Sequence, residues 1–88
     1  MAHVRVLGFP NRGVDRQELD IPAATASELL TELGRRFPAL QPILTEQRAG
    51  RPYVKVLVNG RLIDQLQGLD TPLEPGDTVG VFPPVAGG

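Results

Sequence analysis

The sequence contains no cysteine. Without thiols the chain cannot form disulfide bonds, thiolate metal sites or iron–sulfur clusters, and it cannot use a cysteine nucleophile. A ferredoxin is excluded for the same reason, because its iron–sulfur cluster needs cysteine ligands. Any sulfur chemistry in which this protein takes part must therefore avoid side-chain thiols.

The sequence also has almost no net charge, with Lys+Arg 9 against Asp+Glu 10 and a formal net charge of -1. This balance gives no overall field for phosphate backbones or anionic lipids, so we expect neither a nucleic acid nor a membrane as partner. The apolar runs fall far short of the roughly 20 residues that a membrane span needs. Residues 1–10 lack the apolar core of a signal peptide. A cytoplasmic protein is expected.

The length and composition are those of one small folded domain. The chain has 88 residues, of which 41% are hydrophobic and 22% charged. These fractions are typical of globular proteins and differ from those of disordered chains. Since domains usually have about 100 to 150 residues, a second core is excluded.

Two strands are predicted at the start of the chain. Residues 3–9 alternate, with Val4, Val6 and Gly8 on one side and Arg5, Leu7 and Phe9 on the other. A turn-forming run at 10–13 separates them from a second alternating segment at 17–21, which Pro22 ends. We expect the two strands to pair as a hairpin.

A helix is predicted over residues 26–37. Thr25 and Glu28 have the spacing of a capping box, in which each side chain satisfies a free backbone N–H at the start of the helix. Pro38 prevents continuation. Apolar residues recur at helical spacing and continue beyond the proline: Ala26, Leu29, Leu30, Leu33, Phe37, Leu40, Ile43 and Leu44. This stripe must cover a sheet, which makes it part of the core.

The second half of the chain contains the clearest hairpin signal. The polar segment 45–52 is predicted to be an exposed loop. The alternating segment 53–58 is followed by Asn59-Gly60, which suits a type I′ turn, and by a short strand at 61–63. After several turn signals, residues 78–82 are predicted to form the last strand.

This order of elements is typical of an α+β protein with the β-grasp, or ubiquitin-like, fold. We expect a mixed sheet of four or five strands packed on one main helix, with the final strand inside the sheet. Residues 1–82 are expected to form the β-grasp domain. Residues 83–88 are expected to form an extended, flexible tail, with 85–88 mobile when no partner is bound.

The tail offers no reactive side chain. Pro83 and Pro84 restrict the backbone to extended conformations, and six extended residues could project by roughly 20 Å. Gly87 and Gly88 have no Cβ atom, so a narrow channel could admit their backbone and a nucleophile could approach the last carbonyl. The reactive group would be the α-carboxyl group of Gly88.

The segment 76–88, GDTVGVFPPVAGG, resembles the C-terminal end of the MoaD/ThiS family of ubiquitin-like sulfur carriers. Its Phe-Pro-Pro-Val element is similar to that of MoaD, the small subunit of molybdopterin synthase. Outside this segment, Val58-Asn59-Gly60 also carries the resemblance, which extends along the whole chain in the order of its elements. The resemblance thus implies a β-grasp fold and a carrier function.

By this resemblance, Gly88 is adenylated by an E1-like enzyme of the MoeB/ThiF type, which uses ATP and Mg²⁺. The product is converted to a thiocarboxylate with sulfur from a donor protein. The acceptor is a MoaE-type large subunit or another synthase, and Gly87 accompanies Gly88 in the enzyme's channel. The chain itself has no phosphate-binding loop. It would hold no cofactor and would be a protein co-substrate, or the small subunit of a synthase, rather than an enzyme.

Several alternatives stay open. Molybdopterin synthesis ranks first among the pathways, and similar carriers serve the synthesis of cysteine, thio-sugars or other thio-metabolites. Carriers for thiamine usually lack the Phe-Pro-Pro spacer and rank lower. The protein could also be a non-covalent β-grasp interaction module that uses the tail only as a spacer.

The residues expected to bind partners are those at the start of the tail: Phe82, Pro83, Pro84, Val85 and Ala86. Phe82 has two interpretations with equal support, either the last core residue or an anchor in a partner's pocket. Leu57 and Leu62 are expected to lie on the same docking face as Phe82.

The polar residues of the strands give no sign of a catalytic or metal site. His3 has no second cluster of ligands and is predicted to be exposed or capping, so no metal site is expected. The acidic residues Asp15, Glu18 and Asp20 are predicted to be solvated. Arg5, Lys55 and Arg61 could form a basic patch for an acidic partner, although solvated strand faces are the simpler interpretation.

Overall fold

The computed structural model describes residues 1–84. Seven strands occur in this part of the chain: β1 (Ala2–Phe9), β2 (Val14–Ile21), β3 (Gln47–Arg48), β4 (Arg51–Pro52), β5 (Lys55–Val58), β6 (Arg61–Leu62) and β7 (Thr78–Phe82). There are two α-helices, α1 (Ala26–Arg36) and α2 (Gln41–Leu44). Short 3-10 turns connect several of these elements.

Five strands form one mixed sheet in the order β2-β1-β7-β5-β6. β7 pairs in parallel with β1, and the other three pairings are antiparallel. The last strand is therefore the central strand, as predicted. The arrangement confirms the β-grasp fold, with both neighbours of β7 held by backbone hydrogen bonds.

The core lies between the sheet and the helices. Valines of the central strands, such as Val6, Val56 and Val79, are at most 1% exposed. The predicted helical stripe faces them, and its buried members are Ala26, Leu29, Leu30, Leu33, Leu40 and Leu44. The helices thus cover one face of the sheet and leave the opposite face uncovered by any element in the part of the chain that the structure describes.

The capping box at the start of α1 differs from the prediction in one detail. The Glu28 backbone N–H donates to Thr25 Oγ1 at 3.2 Å, as expected. The Glu28 carboxylate accepts from the backbone N–H of Ala24, at 3.1 Å, rather than from that of Thr25. The helix ends at Arg36, and Phe37 caps it through its backbone N–H.

The first hairpin is longer than the alternation predicted. β2 begins at Val14, three residues before the predicted start at residue 17, because the preceding turn ends at Gly13 with a φ of 76° and returns the chain directly alongside β1. The predicted assignment of residues to the two sides of β1 was also wrong at the end of the strand. Phe9 is 4% exposed and belongs to the core, since the alternation breaks at Gly8, whose φ is 88°.

The prediction of a loop at residues 45–52 was wrong. β3 and β4 form a two-stranded antiparallel sheet. Ala49 and Gly50 both have positive φ, of 56° and 77°, which allows the tight turn between the strands. The guanidinium group of Arg48 also lies 4.2 Å from the centre of the Tyr53 ring. Because these short strands are mostly polar and exposed, the sequence showed no hydrophobic alternation that would predict them.

The turn between β5 and β6 holds the start of β7. Asn59 and Gly60 have φ values of 51° and 84°, in keeping with the predicted type I′ turn. The Asn59 side chain accepts from the Thr78 backbone N–H and donates to Asp77 Oδ1, both at 3.0 Å. The Glu74 N–H donates to the other Asp77 oxygen at 2.8 Å. These bonds fix where the central strand begins.

Acid is expected to weaken this connection. The hydrogen bonds from the Glu74 backbone and then from Asn59 lower the pKa of Asp77 from 3.8. A carboxyl group with a lowered pKa contributes stability that is present above its unfolded pKa and lost as pH falls through its folded pKa. Between about pH 6 and about pH 3, the melting temperature of the wild type should therefore fall more steeply than that of Asp77→Asn. Equal acid slopes would contradict this role.

Candidate functional site

The candidate site is the uncovered face of the sheet beside the point where the tail begins. Residues 78, 80 and 82 of β7 point to this face, because side chains alternate along a strand and Val79 and Val81 point into the core. We call it the outer face. It includes a shallow groove of about 210 Å³ lined by Arg5, Leu7, Leu57, Gly60, Thr78, Gly80 and Phe82.

Phe82 lies on the outer face and is half-buried. It is absent from the core cluster of described residues. Its ring packs back over Gly80, where a Cβ atom would lie 3.4 Å from Phe82 Cε1. Of the two interpretations of Phe82, the structure therefore rejects the core residue. It leaves an aromatic side chain on the surface, immediately before the tail.

Two leucines extend the apolar part of the outer face. Leu57 and Leu62 lie opposite each other in the β5–β6 pairing, and both are half-buried. Leu57 also pairs with Gly80 of the central strand. Leu57 and Phe82 line the same groove, so the structure brings them together as expected. Leu62 continues the apolar surface toward the edge strand.

Two cationic side chains lie beside this apolar surface. Arg5 pairs in register with Gly80 and Lys55 with Phe82. Arg61 pairs with the core residue Val58 and therefore lies on the other side of the sheet, so the three residues do not form one patch. None of the ion pairs found within residues 1–84 involves these three side chains. Next to the groove, the positive charges of Arg5 and Lys55 beside an apolar surface suit a partner surface that is apolar and acidic.

His3 connects β1 with β2 on the same side of the sheet. Its Nε2 lies 3.0 Å from Glu18 Oε1 and its Nδ1 lies 3.2 Å from Asp20 Oδ1. The hydrogen bond to Glu18, and then that to Asp20, raises the pKa of His3 above 6.5. Glu18 and Asp20 are exposed, as is Asp15, which agrees with the prediction of a solvated strand. His3 serves strand pairing.

The first tail residues lie against the domain. Pro83 and Pro84 are half-buried. A Cβ atom built on Gly8 of β1 would lie 2.9 Å from Pro83 Cδ, which shows how closely the proline ring approaches the β1 backbone. The other predicted tail residues, Val85, Ala86, Gly87 and Gly88, lie outside the described residues.

We searched residues 1–84 for clusters of metal ligands and for membrane-spanning helices. Across residues 1–84, no group of three or more histidine, cysteine, aspartate or glutamate residues is arranged to hold a metal ion. No helix in the same range combines the length and apolar character of a membrane span.

Sequence reasoning missed Gly8 and Gly80 as parts of this site. Each glycine lies within a strand, where glycine is unfavourable and often marks the close approach of another group. Here the approaching groups are the Pro83 ring at Gly8 and the Phe82 ring at Gly80. The rarity of glycine inside strands was the signal that could have identified both.

Comparison with known proteins finds relatives along most of the chain. The model of the ThiS family matches residues 4–88. Small archaeal modifier protein 3 of Haloferax volcanii is 45% identical over 65 residues, which cover 74% of this chain and 71% of that protein. A protein of Archaeoglobus fulgidus assigned as a sulfur carrier is 33% identical over 72 residues, or 81% of this chain and 82% of that protein.

A solved structure has the same fold. It is that of a Pyrococcus furiosus protein assigned as subunit 1 of a molybdopterin converting factor. The two structures superimpose with a TM-score of 0.64 at 32% sequence identity, over 97% of this chain and 100% of that protein.

Proposed function

Because the chain belongs to the ThiS family, we propose that it is a sulfur carrier whose Gly88 carboxyl group is activated by a partner enzyme and converted to a thiocarboxylate. One observation carries this proposal: the central strand β7 leads directly into Pro83-Pro84, beside an apolar outer face. A partner that binds this face would receive the tail at a fixed point. The Archaeoglobus fulgidus relative adds support, since it is assigned as a sulfur carrier.

The proposed chemistry requires activation. A free α-carboxyl group has a pKa of about 3.5, so near neutral pH it is a carboxylate that resists attack by a sulfur nucleophile. Attack of a carboxylate oxygen on the α-phosphorus of ATP forms an acyl-adenylate and releases pyrophosphate. A hydrosulfide ion then attacks the acyl carbon, and AMP leaves with the bonding electron pair. The result is a thiocarboxylate on a chain that needs no cysteine.

The proposal includes three protein partners. An E1-like enzyme of the MoeB/ThiF type would use ATP and Mg²⁺ to form the acyl-adenylate. A sulfur donor protein would supply the sulfur that attacks it. A MoaE-type large subunit is the proposed acceptor, in keeping with the similarity to a protein assigned to a molybdopterin converting factor. The chain would thus be a protein co-substrate, or the small subunit of a synthase.

One relative favours a second function. Small archaeal modifier protein 3 is the relative with 45% identity. A modifier would use the same acyl-adenylate, but the neutral amine of a lysine would attack the acyl carbon. AMP would leave with the bonding electron pair, the nitrogen would lose a proton, and an isopeptide bond would result. The two functions share the activation step and the docking face, and they differ in the nucleophile that follows.

Intact mass distinguishes these functions. We expect the full chain, incubated with an E1-like enzyme, ATP, Mg²⁺ and a sulfur donor, to gain the mass difference between sulfur and oxygen. Omission of ATP is the control and should leave the mass unchanged. Covalent conjugates with other proteins, in place of that gain, would favour the modifier. An unchanged mass with an active enzyme would favour a non-covalent interaction module and contradict both.

A further inference from the structure

We propose that Gly8 sets the direction in which the tail leaves the domain, because its missing side chain provides the place where Pro83 packs. Gly8 would thereby be a positioning residue for the activation of Gly88. This role rests on the proposed function, since a defined direction matters when the tail must enter a partner's active site. It is independent of whether sulfur or an amine attacks afterwards.

The distances leave no room for a side chain at this position. An ideal Cβ atom on Gly8 would lie 2.9 Å from Pro83 Cδ and 3.3 Å from Pro83 Cγ. Real Cβ contacts essentially never fall below 3.0 Å. The proline ring cannot rotate away as a flexible side chain could, because its Cδ atom is bonded to the backbone nitrogen. Any residue other than glycine would therefore displace the backbone of the tail.

Gly8 also has the backbone conformation of a special position. Its φ of 88° is one that residues with a Cβ atom rarely adopt, and the alternation of β1 breaks there. Residues on both sides stay in register with β2, Leu7 with Arg16 and Phe9 with Val14. The sheet is thus intact around Gly8, and the break presents a bare backbone to Pro83.

Because two consecutive prolines begin the tail, the contact at Pro83 affects the direction of the residues that follow. Pro83 and Pro84 both have restricted φ, so a shift of the first ring changes the direction of the second. Both are half-buried, which places them against the domain. Gly88 follows Pro83 by five residues, which span up to roughly 17 Å when extended. A small displacement of Pro83 would thus become a larger displacement of the Gly88 carboxyl group.

The substitution Gly8→Ala tests the role, but it introduces two changes, the close approach to Pro83 and backbone strain from the positive φ. Gly13→Ala is the matched control for strain. Gly13 has a φ of 76° in the same hairpin, and nothing lies within 4 Å of a Cβ atom there. A second control removes the obstructing ring atoms with Pro83→Ala. In the Pro83→Ala background, Gly8→Ala still has the backbone strain of a positive φ, but its Cβ atom no longer meets the Cδ and Cγ atoms of the proline ring.

We expect Gly8→Ala to lower kcat for pyrophosphate exchange by the activating enzyme at least about tenfold, since displacements near 1 Å can cost about a hundredfold. KM should stay within about twofold of the wild type, because the docking face is unchanged. Gly13→Ala should lower the melting temperature and leave kcat within about twofold. In the Pro83→Ala background, Gly8→Ala should cause no further loss of kcat.

Equal losses of kcat in the Gly8→Ala and Gly13→Ala variants would overturn the proposal, as would an undiminished effect of Gly8→Ala in the Pro83→Ala background. A second readout needs no enzyme. In NMR spectra of the wild type, the Gly8 Hα protons should show NOE cross-peaks to Pro83 Hδ, and the Val85 amide shift should move in Gly8→Ala but not in Gly13→Ala.

This second readout separates the two proposals. Absent cross-peaks would overturn the positioning role whatever the enzyme does. If the cross-peaks and shifts are as expected and the wild-type chain is never activated, the proposed function fails, while the role of Gly8 in directing the tail is supported.

Discussion

Deleting Gly88 is expected to abolish adenylation while the domain stays folded. The deletion moves the terminal carboxyl group by roughly 3.5 Å, and in an enzyme active site an error near 1 Å can already cost about a hundredfold in rate. The hydrophobic core consists of residues from Ala2 to Val81, so the free energy of unfolding should change by no more than about 0.5 kcal/mol. Pyrophosphate exchange and a thermal melt of the same preparation measure the two effects.

Leu66→Ala is the control for this deletion. Leu66 is exposed and lies outside both the tail and the outer groove, so the exchange rate of this variant should stay close to that of the wild type. A variant without Gly88 that melts normally and is activated at the wild-type rate would show that Gly88 is not the functional terminus. The sulfur-carrier proposal would then fail.

Phe82→Ala is expected to weaken two different complexes, that with the activating enzyme and that with the sulfur acceptor. Both partners must receive the same tail, so the simplest arrangement uses the outer face for both. Aromatic anchors often dominate binding, and loss of this one should cost about 1 to 2 kcal/mol in each complex, or about 5- to 30-fold in Kd. Isothermal titration calorimetry with each partner measures this loss.

Leu66→Ala is the control for apolar surface in general. Leu66 is 38% exposed and lies in the connection between β6 and β7, outside the groove that contains Phe82. Its replacement should leave both dissociation constants within about twofold, as expected of surface positions away from an interface. If Phe82→Ala binds both partners as tightly as the wild type, the outer face is not the shared docking surface.

The elements with strong local signals were predictable from the sequence. Thr25 and Glu28 predicted the start of α1, and Asn59-Gly60 predicted the turn between β5 and β6, because these signals depend only on nearby residues. The central place of β7 was predictable as well, from the apolar residues that it presents to the core. Pro38 correctly placed the end of the helix to within one residue.

Other features depend on contacts that a linear pattern does not contain. The hairpin at 47–52 has polar strands and a turn that uses Ala49 with a positive φ, which alanine rarely adopts. The contact between Gly8 and Pro83 joins residues that are far apart in the sequence. For Phe82, the sequence supported a core position and a partner-binding position equally. Its alternation with Val79 and Val81 is the feature that indicates the outer face.

The central position of β7 also has a consequence for synthesis on the ribosome. Until Phe82 has been translated and has left the exit tunnel, β1 and β5 have no strand between them, and both present unpaired backbone edges. Chains that stall or are cut before this point cannot complete the sheet, which makes them targets for chaperones and proteases. The tail follows β7 in the chain. During synthesis, a chain that has reached the tail therefore already contains all the strands needed to fold.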